Sequence, residues 1–313
     1  MKILVLGAGA VGGYFGGRLL EAGRNVTFLV RPGRAALLKE NGLVIQSPEG
    51  NVRLENPPTV TDGSQGGPYD LVLLSCKAYD LDSAMAAIAP AVGGKTVILP
   101  LLNGQRHLER LDEMFGAEKV LGGLCLVSAT IGEAGEIVHF LPGHRITFGE
   151  RTGETSPRAE AIAATLSEAL FEVVLSKIIR TEMWEKWVML ASLAGATTLM
   201  RASVGDIARA AGGEAFVLGL LEECRCVAEL EGCAPRPENF SRMQKRLTDR
   251  ASTLTASMYR DVCHGGKIEA EQIIGDLLVR AEKHGKPAKE FPLLGLVRTH
   301  LQAYENGHNR AGV

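Results

Sequence analysis

Short apolar runs alternate with helix-like segments through the first half of the chain. The runs rich in β-branched residues are KILVL from residue 2, VTFLV from 26, DLVLLS from 70 and KTVILP from 95. This alternation is typical of βαβ units, so it predicts a mainly parallel sheet. From about residue 120 to 150 the runs shorten and glycine-containing turns appear, which predicts a hairpin-like extension of that sheet. One more helix is predicted over residues 155 to 170.

The second half of the chain has a different pattern. From about residue 180 the strand signals stop, and a 3.6-residue periodicity broken by Gly and Pro continues to the end. The pattern predicts an α/β domain over residues 1–178 and an all-α domain over residues 179–313. We expect the last residues, from about Asn306, to form a frayed tail.

Composition narrows the class of protein. A length of 313 residues with 46% hydrophobic positions suits two domains, each with its own core. The 34 basic and 36 acidic residues give a net charge of −2, which offers no broad basic surface for nucleic acid, so a small-molecule partner is favoured. The six cysteines form no CxxC pair, the histidines form no HExxH motif, and no apolar stretch reaches membrane-spanning length. We therefore expect reduced thiols, no metal site, no membrane segment and a cytoplasmic protein.

The segment after the first predicted strand carries a GxGxxG motif at the mouth of a helix. Gly7 permits the tight turn, Gly9 lets the backbone approach a pyrophosphate, and Gly12 lets helix and strand pack closely. A second strand follows at the distance that completes a βαβ unit, so the motif predicts a Rossmann dinucleotide-binding domain; a glycine-rich turn that merely packs is the alternative. The predicted cofactor-binding residues of this turn are Gly7, Ala8, Gly9, Ala10, Val11 and Gly12.

The residue after the second strand bears on the choice of cofactor. NAD-binding proteins usually carry Asp or Glu there for the ribose hydroxyls, whereas this chain has Arg31, followed by Arg34. A guanidinium can pair bidentately with a 2′-phosphate, so Arg31 predicts NADP(H) rather than NAD(H). An ordinary surface arginine is the alternative.

Taken together, five features make nearly the whole chain resemble the ketopantoate reductase (2-dehydropantoate 2-reductase) family: the MKILVLGAGAVGG start, Arg31, and the segments SCKAYD, LLNGQ and TEMWEKW. The resemblance implies NADPH-dependent reduction of a 2-oxo acid to a 2-hydroxy acid, the type of step used in pantothenate biosynthesis. It also implies that Lys77 lies near the cofactor and that Asn103 lies near both the nicotinamide and the substrate. If the resemblance is set aside, the sequence favours a solvent-exposed side chain for Lys77 and a turn position for Asn103.

The helix predicted to begin near Met183 carries the clearest chemical signal. No charged residue lies between Trp187 and Met200, so the helix is predicted to be buried, yet Lys186 stands at its head. Most such lysines extend to water. The resemblance instead implies that Lys186 is the general acid that protonates the keto oxygen, a role that a partly desolvated ammonium suits.

Two more polar residues match family positions in the helical half. The resemblance implies that Ser257 in LTASM hydrogen-bonds the substrate, and that Glu269 in GKIEAEQ contacts the substrate and helps to hold the catalytic lysine. On residue type alone, both read equally well as surface side chains. The resemblance also leaves room for a homodimer formed through the helical domain.

Four positions depart from the family pattern. Where the family has asparagines around the substrate's hydroxyl end, this chain has Leu190, Ala194, Val204 and Leu254. The substrate is ketopantoate or a more apolar analogue, and a site without polar partners disfavours a substrate hydroxyl by about 1–3 kcal/mol, so we expect the hydroxyl-free analogue to be preferred. The same departures motivate a second hypothesis, an NADP(H)-binding sensor or interaction protein without turnover.

Overall fold

The structure is a computed structural model that describes residues 1–310, and its contacts divide the chain into two compact units. The first unit comprises residues Met1–Leu102 and His107–Ile179. The second unit comprises the short segment Asn103–Arg106 and the chain from Arg180 onward. The loop that contains Asn103 therefore interrupts the first unit in sequence but packs with the helical half.

All strands found within residues 1–310 lie in the first unit. In chain order they are β1 (Lys2–Leu6), β2 (Asn25–Leu29), β3 (Leu43–Gln46), β4 (Val52–Leu54), β5 (Thr59–Val60), β6 (Leu71–Leu74), β7 (Val97–Pro100), β8 (Gly122–Ile131), β9 (Ile137–Gly149) and β10 (Glu172–Leu175). The described helices of this half are α1 (Ala10–Glu21), α2 (Pro32–Asn41), α3 (Leu81–Ile88), α4 (Arg106–Phe115) and α5 (Pro157–Leu166). The helix predicted over residues 155 to 170 is confirmed as α5.

The first sheet is parallel, with strand order β5-β2-β1-β6-β7. Strands β1, β6 and β7 are buried along nearly their whole length, which explains their unbroken apolar sequences. The predicted α/β class with a parallel N-terminal sheet is confirmed. The carboxyl ends of β1, β2 and β6 lie side by side, and each is followed by a residue group that the sequence marked as a candidate site.

The hairpin prediction for residues 120 to 150 was partly wrong. Strands β8 and β9 do pair in antiparallel fashion, but they are 10 and 13 residues long rather than short. They belong to a second sheet of order β10-β9-β3-β4, in which β8 pairs with the other side of β9. Its contact with the first sheet is an isolated parallel bridge between Val120 and Ile98 of β7, because β9 pairs in parallel with β3 and β10 instead.

Helix α1 packs against both sheets through glycines. Gly12, Gly13, Gly16 and Gly17 are all buried in it. A Cβ at Gly16 would lie 2.6 Å from the Phe28 ring, and one at Gly17 would lie 2.7 Å from Ile45 Cδ1. The absence of side chains therefore lets this helix approach strands of the first and second sheets more closely than any other residue type would allow.

The second unit is helical. Its helices are α6 (Ile179–Met200), α7 (Val204–Arg209), α8 (Gly213–Leu230), α9 (Pro237–Leu247), α10 (Ser257–Cys263), α11 (Asp276–Lys283) and α12 (Pro292–Arg310). A π-helical turn over Glu271–Gly275 precedes α11. Helix α6 begins four residues before the predicted Met183, and α12 continues through residues 306–310, so the prediction of a frayed tail there was wrong; residues 311–313 lie outside the described part.

The two units have separate apolar cores. One cluster is centred on the strands and on α1 and α5, and the other on α6, α8, α11 and α12. All six cysteines are free thiols, and Cys125, Cys224 and Cys233 are buried. Among residues 1–310, no helix is both long enough and apolar enough to cross a bilayer.

Candidate active site

The glycine-rich turn between β1 and α1 has the geometry that a pyrophosphate-binding turn needs. Gly7 has φ +85°, a conformation that favours glycine, and its N–H donates to the Leu29 carbonyl at 2.9 Å. Gly9 caps α1 in extended conformation. At Gly12 a Cβ would collide with the Ser75 hydroxyl and the Gly7 carbonyl, so close packing requires glycine there. The free N–H groups at the start of α1 and its dipole fit an anionic diphosphate.

Two predicted cofactor residues follow the strands that flank β1 on either side. Arg31 comes after β2 and caps α2, and its side chain is 78% exposed. Lys77 comes after β6 and caps the short 3-10 turn Ala78–Asp80. The structure joins these two segments, because Arg31 Nη2 lies 3.1 Å from Asp80 Oδ1. The contact with Asp80 was not predicted, because 49 residues separate the two side chains in sequence.

Arg34, which neighbours Arg31 in sequence, makes different contacts. Its Nε donates to the Ala8 carbonyl at 3.1 Å and its Nη1 to the Gly135 carbonyl at 2.8 Å. Burial lowers the pKa of the Arg34 guanidinium from its ordinary value. Arg34 is thus bonded to the glycine-rich turn itself, whereas Arg31 is exposed.

Asn103 lies in the short segment that packs with the helical unit. The Gln272 side-chain amide donates to the Asn103 carbonyl at 3.0 Å. Gly104 has φ +76°, and a Cβ there would lie 2.9 Å from the Gln272 carbonyl oxygen. Gln272 was not predicted as a site residue; the only sequence signal was the glycine after Asn103, which is typical of a close backbone approach.

Lys186 lies two turns into α6 and is half-buried. The preceding residue, Glu185, is 5% exposed and accepts hydrogen bonds from the Arg236 backbone N–H at 2.9 Å, from its guanidinium at 2.8 and 2.6 Å, and from the Asn239 amide at 2.7 Å. Burial alone would raise the pKa of Glu185, but the hydrogen bonds from Arg236 and Asn239 outweigh it and hold the pKa below its usual value. This carboxylate fixes the helix next to Lys186.

A second contact anchors α6 on the other side of Lys186. The Trp187 indole is 1% exposed and donates to the Ile273 carbonyl at 3.0 Å. Ile273 lies in the π-helical turn, and its N–H donates to the Glu269 carbonyl at 2.9 Å. The elements that carry Lys186 and Glu269 are therefore in direct contact, and π-helical turns are frequent at functional sites.

Ser257 is placed differently. It is the exposed first residue of α10, and the N–H of its neighbour Ala256 donates to Thr197 Oγ1 at 3.3 Å. Thr197 lies eleven residues beyond Lys186 on α6, which is about 16 Å of helical rise. The segment that carries Ser257 therefore contacts the C-terminal half of α6.

The four apolar positions share one core cluster but differ in exposure. Ala194 and Val204 are 1% and 2% exposed, whereas Leu190 and Leu254 are partly buried and retain accessible surface. The Val204 N–H donates to the Leu254 carbonyl at 3.0 Å, which joins α7 to the segment before α10. Leu190 and Leu254 are thus the two of these positions that offer surface to a ligand. Within residues 1–310, no group of three or more His, Cys, Asp or Glu side chains is arranged to hold a metal ion.

The first unit combines a parallel sheet with a glycine-rich turn after β1, the second unit is helical, and comparisons with known proteins identify the family that has this pair of domains. The sequence profile of the family described as Ketopantoate reductase PanE/ApbA matches residues 3–153, and that of its C-terminal domain matches residues 178–305. The chain belongs to this family, as its sequence predicted, and is an oxidoreductase of it.

Three individual proteins show the extent of the similarity. The uncharacterized oxidoreductase YkpB of Bacillus subtilis is 38% identical over 305 residues, which cover 97% of this chain and 99% of YkpB. The crystal structure of 2-dehydropantoate 2-reductase from Geobacter metallireducens has a TM-score of 0.87 at 28% identity, with 97% and 99% of the chains covered. A ternary structure of D-mandelate dehydrogenase with NADH and anilino(oxo)acetate has a TM-score of 0.86 at 22% identity, with 99% of both chains covered, a likeness of fold.

Proposed function

We propose that the protein catalyses the NADPH-dependent reduction of a 2-oxo acid to the corresponding 2-hydroxy acid, a reaction of the 2-dehydropantoate 2-reductase type. The observation that carries this proposal is Lys186, a half-buried lysine on a largely buried helix. The neighbouring residues Glu185 and Trp187 anchor that helix on either side of the lysine. Partial burial of a charged lysine costs free energy, and a role as proton donor would account for a lysine at this position.

Each proposed site residue has a separate role in the reaction. The cofactor, when bound, supplies the hydride that adds to the keto carbon. Lys186 donates a proton to the keto oxygen as negative charge develops there, so that the carbonyl becomes a secondary alcohol. Glu269 stabilises the charged form of Lys186 and contacts the substrate, while Ser257 and Asn103 hydrogen-bond it. The turn Gly7–Gly12 and Lys77 bind the cofactor.

For the cofactor we propose NADP(H), with Arg31 as the ligand of the 2′-phosphate. Its exposed guanidinium at the carboxyl end of β2 supports this, because bidentate pairing with phosphate needs an accessible arginine. Asp80 occupies part of that guanidinium, so the preference for NADPH over NADH should be smaller than an unpaired arginine would give. The D-mandelate dehydrogenase structure contains NADH, which is a reason to measure both cofactors.

For the substrate we propose a 2-oxo acid, either ketopantoate or a hydroxyl-free analogue, and of the two the analogue is favoured. Leu190 and Leu254 retain surface and offer no hydrogen bond, so a buried substrate hydroxyl would lose its partners at a cost of about 1–3 kcal/mol. We further propose that residues 1–178 bind the cofactor and that residues 179–313 bind the substrate and carry any homodimer contact. A role in pantothenate biosynthesis and a cytoplasmic location stay predictions.

The test is NADPH oxidation against a panel of 2-oxo acids that includes ketopantoate, branched alkyl analogues and aryl analogues. Native protein should turn over at least one of them, and Lys186→Ala should bind NADPH normally but lower kcat by about 10²–10⁴-fold. Tight NADPH binding without turnover of any member would favour the sensor hypothesis. A Lys186→Ala protein with full kcat would refute the assignment of the proton donor.

A further inference from the structure

Among the contacts described for the glycine-rich turn, one is a hydrogen bond from an arginine side chain, that of Arg34. Its Nε bond ends on the carbonyl of Ala8, the residue between the first two glycines of the motif. Its Nη1 bond ends on the carbonyl of Gly135, in the turn that joins β8 to β9. A single side chain thus connects α2, the cofactor turn and the hairpin of the second sheet.

The hairpin turn is shaped to accept this guanidinium. Gly135 has φ +83°, and a Cβ on it would lie 2.8 Å from Arg34 Nη1. The turn is closed by its own hydrogen bonds, from the Gly135 N–H to the Gly132 carbonyl at 3.0 Å and from the Gly132 N–H to the Glu136 carbonyl at 2.8 Å. Both the conformation and the space at Gly135 therefore require glycine if Arg34 is to reach it.

The Ala8 bond has a consequence for the neighbouring amide. In a planar trans peptide, the C=O and the following N–H point in opposite directions. Because Arg34 holds the Ala8 carbonyl, the Gly9 N–H must point away from Arg34. Gly9 caps α1, so this N–H belongs to the set of free amides at the helix start that would face a diphosphate.

We propose that Arg34 is a positioning residue for the cofactor: it fixes the Ala8–Gly9 peptide so that the Gly9 N–H is preorganised for the diphosphate. The proposal rests on the proposed function, and it assigns to Arg34 a task different from that of Arg31. The diphosphate is common to NADPH and NADH, whereas the 2′-phosphate is present only in NADPH. Arg34 therefore affects the binding of both cofactors, and Arg31 affects the binding of one.

The rival role for Arg34 is a direct bond to the 2′-phosphate. Its Nη2 atom is buried and has no hydrogen-bond partner within residues 1–310, so Nη2 could in principle bond a phosphate. Cofactor-binding measurements must therefore distinguish direct phosphate binding from the positioning role. The experiment is calorimetric titration of NADPH and NADH into native protein, Arg34→Met, Arg31→Met and Lys39→Met. Lys39 is exposed on the same helix α2 and serves as the matched control.

Arg34→Met should raise the Kd of NADPH and of NADH by the same factor, about tenfold, because two charge-assisted hydrogen bonds are lost. Arg31→Met should raise only the Kd of NADPH, and Lys39→Met should change neither. An Arg34→Met loss confined to NADPH would overturn the proposal in favour of direct phosphate binding. Unchanged affinity for both cofactors would also overturn it.

A double substitution tests the route through the hairpin. Gly135→Ala should weaken both cofactors in the native background but add no further loss in Arg34→Met, because the guanidinium it displaces is absent. Additive losses would contradict the proposed contact. Arg34→Lys, which keeps the charge but has no planar fork, should behave like Arg34→Met and serves if the latter folds poorly. Native protein that binds neither cofactor would overturn the proposed function as well, whereas the outcomes above concern Arg34 alone.

Discussion

Replacing Gly104 by alanine adds one carbon atom, Cβ, to the loop that carries Asn103. Gly104 has φ +76°, so alanine there adopts the left-handed conformation at a cost of about 1–2 kcal/mol. The new Cβ would also lie 2.9 Å from the Gln272 carbonyl oxygen. The loop must then shift away from Gln272, which breaks the 3.0 Å bond from its amide to the Asn103 carbonyl, worth about 0.5–1.5 kcal/mol. Together these effects should lower the free energy of unfolding by about 2–3 kcal/mol.

A matched control separates the two contributions. Gly232 has a similar φ of +68°, but no atom lies within 4 Å of its would-be Cβ. Gly232→Ala should therefore cost only the conformational part, about 1–2 kcal/mol. The difference between the two variants, about 1 kcal/mol, measures the crowding against Gln272.

Urea unfolding followed by tryptophan fluorescence is suited to this comparison, since both tryptophans, Trp184 and Trp187, lie on α6 in the helical unit. In the 2-oxo acid assay, Gly104→Ala should also lower kcat/KM by about 10–100-fold through the displaced Asn103, while Gly232→Ala should leave it unchanged. Equal unfolding free energies for the two variants, together with unchanged kcat/KM in Gly104→Ala, would refute the reasoning.

Three further outcomes are expected. Asp80→Asn should tighten NADPH binding about two- to fivefold by releasing Arg31 and leave NADH unaffected; titration showing no change would remove Asp80 as a competitor. Burial lowers the pKa of His139 and His144 in the folded protein. Below about pH 6.5 the unfolded chain therefore binds more protons than the folded one, and the free energy of unfolding should fall from pH 6.5 toward 5. Urea unfolding at several pH values checks this, and a free energy that does not change with pH would contradict it. Leu190→Asn should shift the kcat/KM ratio about tenfold toward ketopantoate over a hydroxyl-free analogue, and an unchanged ratio would place Leu190 away from the substrate.

The first sheet was predictable because its strands are buried on both faces and therefore carry continuous apolar sequences that stand out from the helices between them. The second sheet was misassigned for a physical reason: β3 pairs with β9 across about ninety residues of chain, and local patterns contain no information on which distant strand becomes the partner. The extension of α12 beyond Asn306 was missed because its polar, glycine-containing sequence has little helical preference of its own.

In the candidate site, too, some features could be predicted from local sequence and others could not. The positions of Gly7, Arg31 and Lys77 after their strands follow from the order of the elements, so they could be predicted from sequence. The contacts of Arg34 and Gln272 could not, because both depend on where a distant carbonyl lies, that of Gly135 in one case and that of Asn103 in the other. The pattern of polar and apolar residues does not show which distant carbonyl a side chain will contact.

The four buried glycines of α1 have a consequence for the order in which the protein folds. Each glycine makes a helix about 0.8–1 kcal/mol less stable than alanine would, so α1 starts about 3–4 kcal/mol less favourable than an alanine-rich segment. Such a segment does not persist as an isolated helix. It becomes helical only when the strands that need its bare surface are in place, so α1 should be a late-forming element. The anion-binding end of this helix is then assembled last, and a chain competent to hold a dinucleotide is one whose two sheets have already formed.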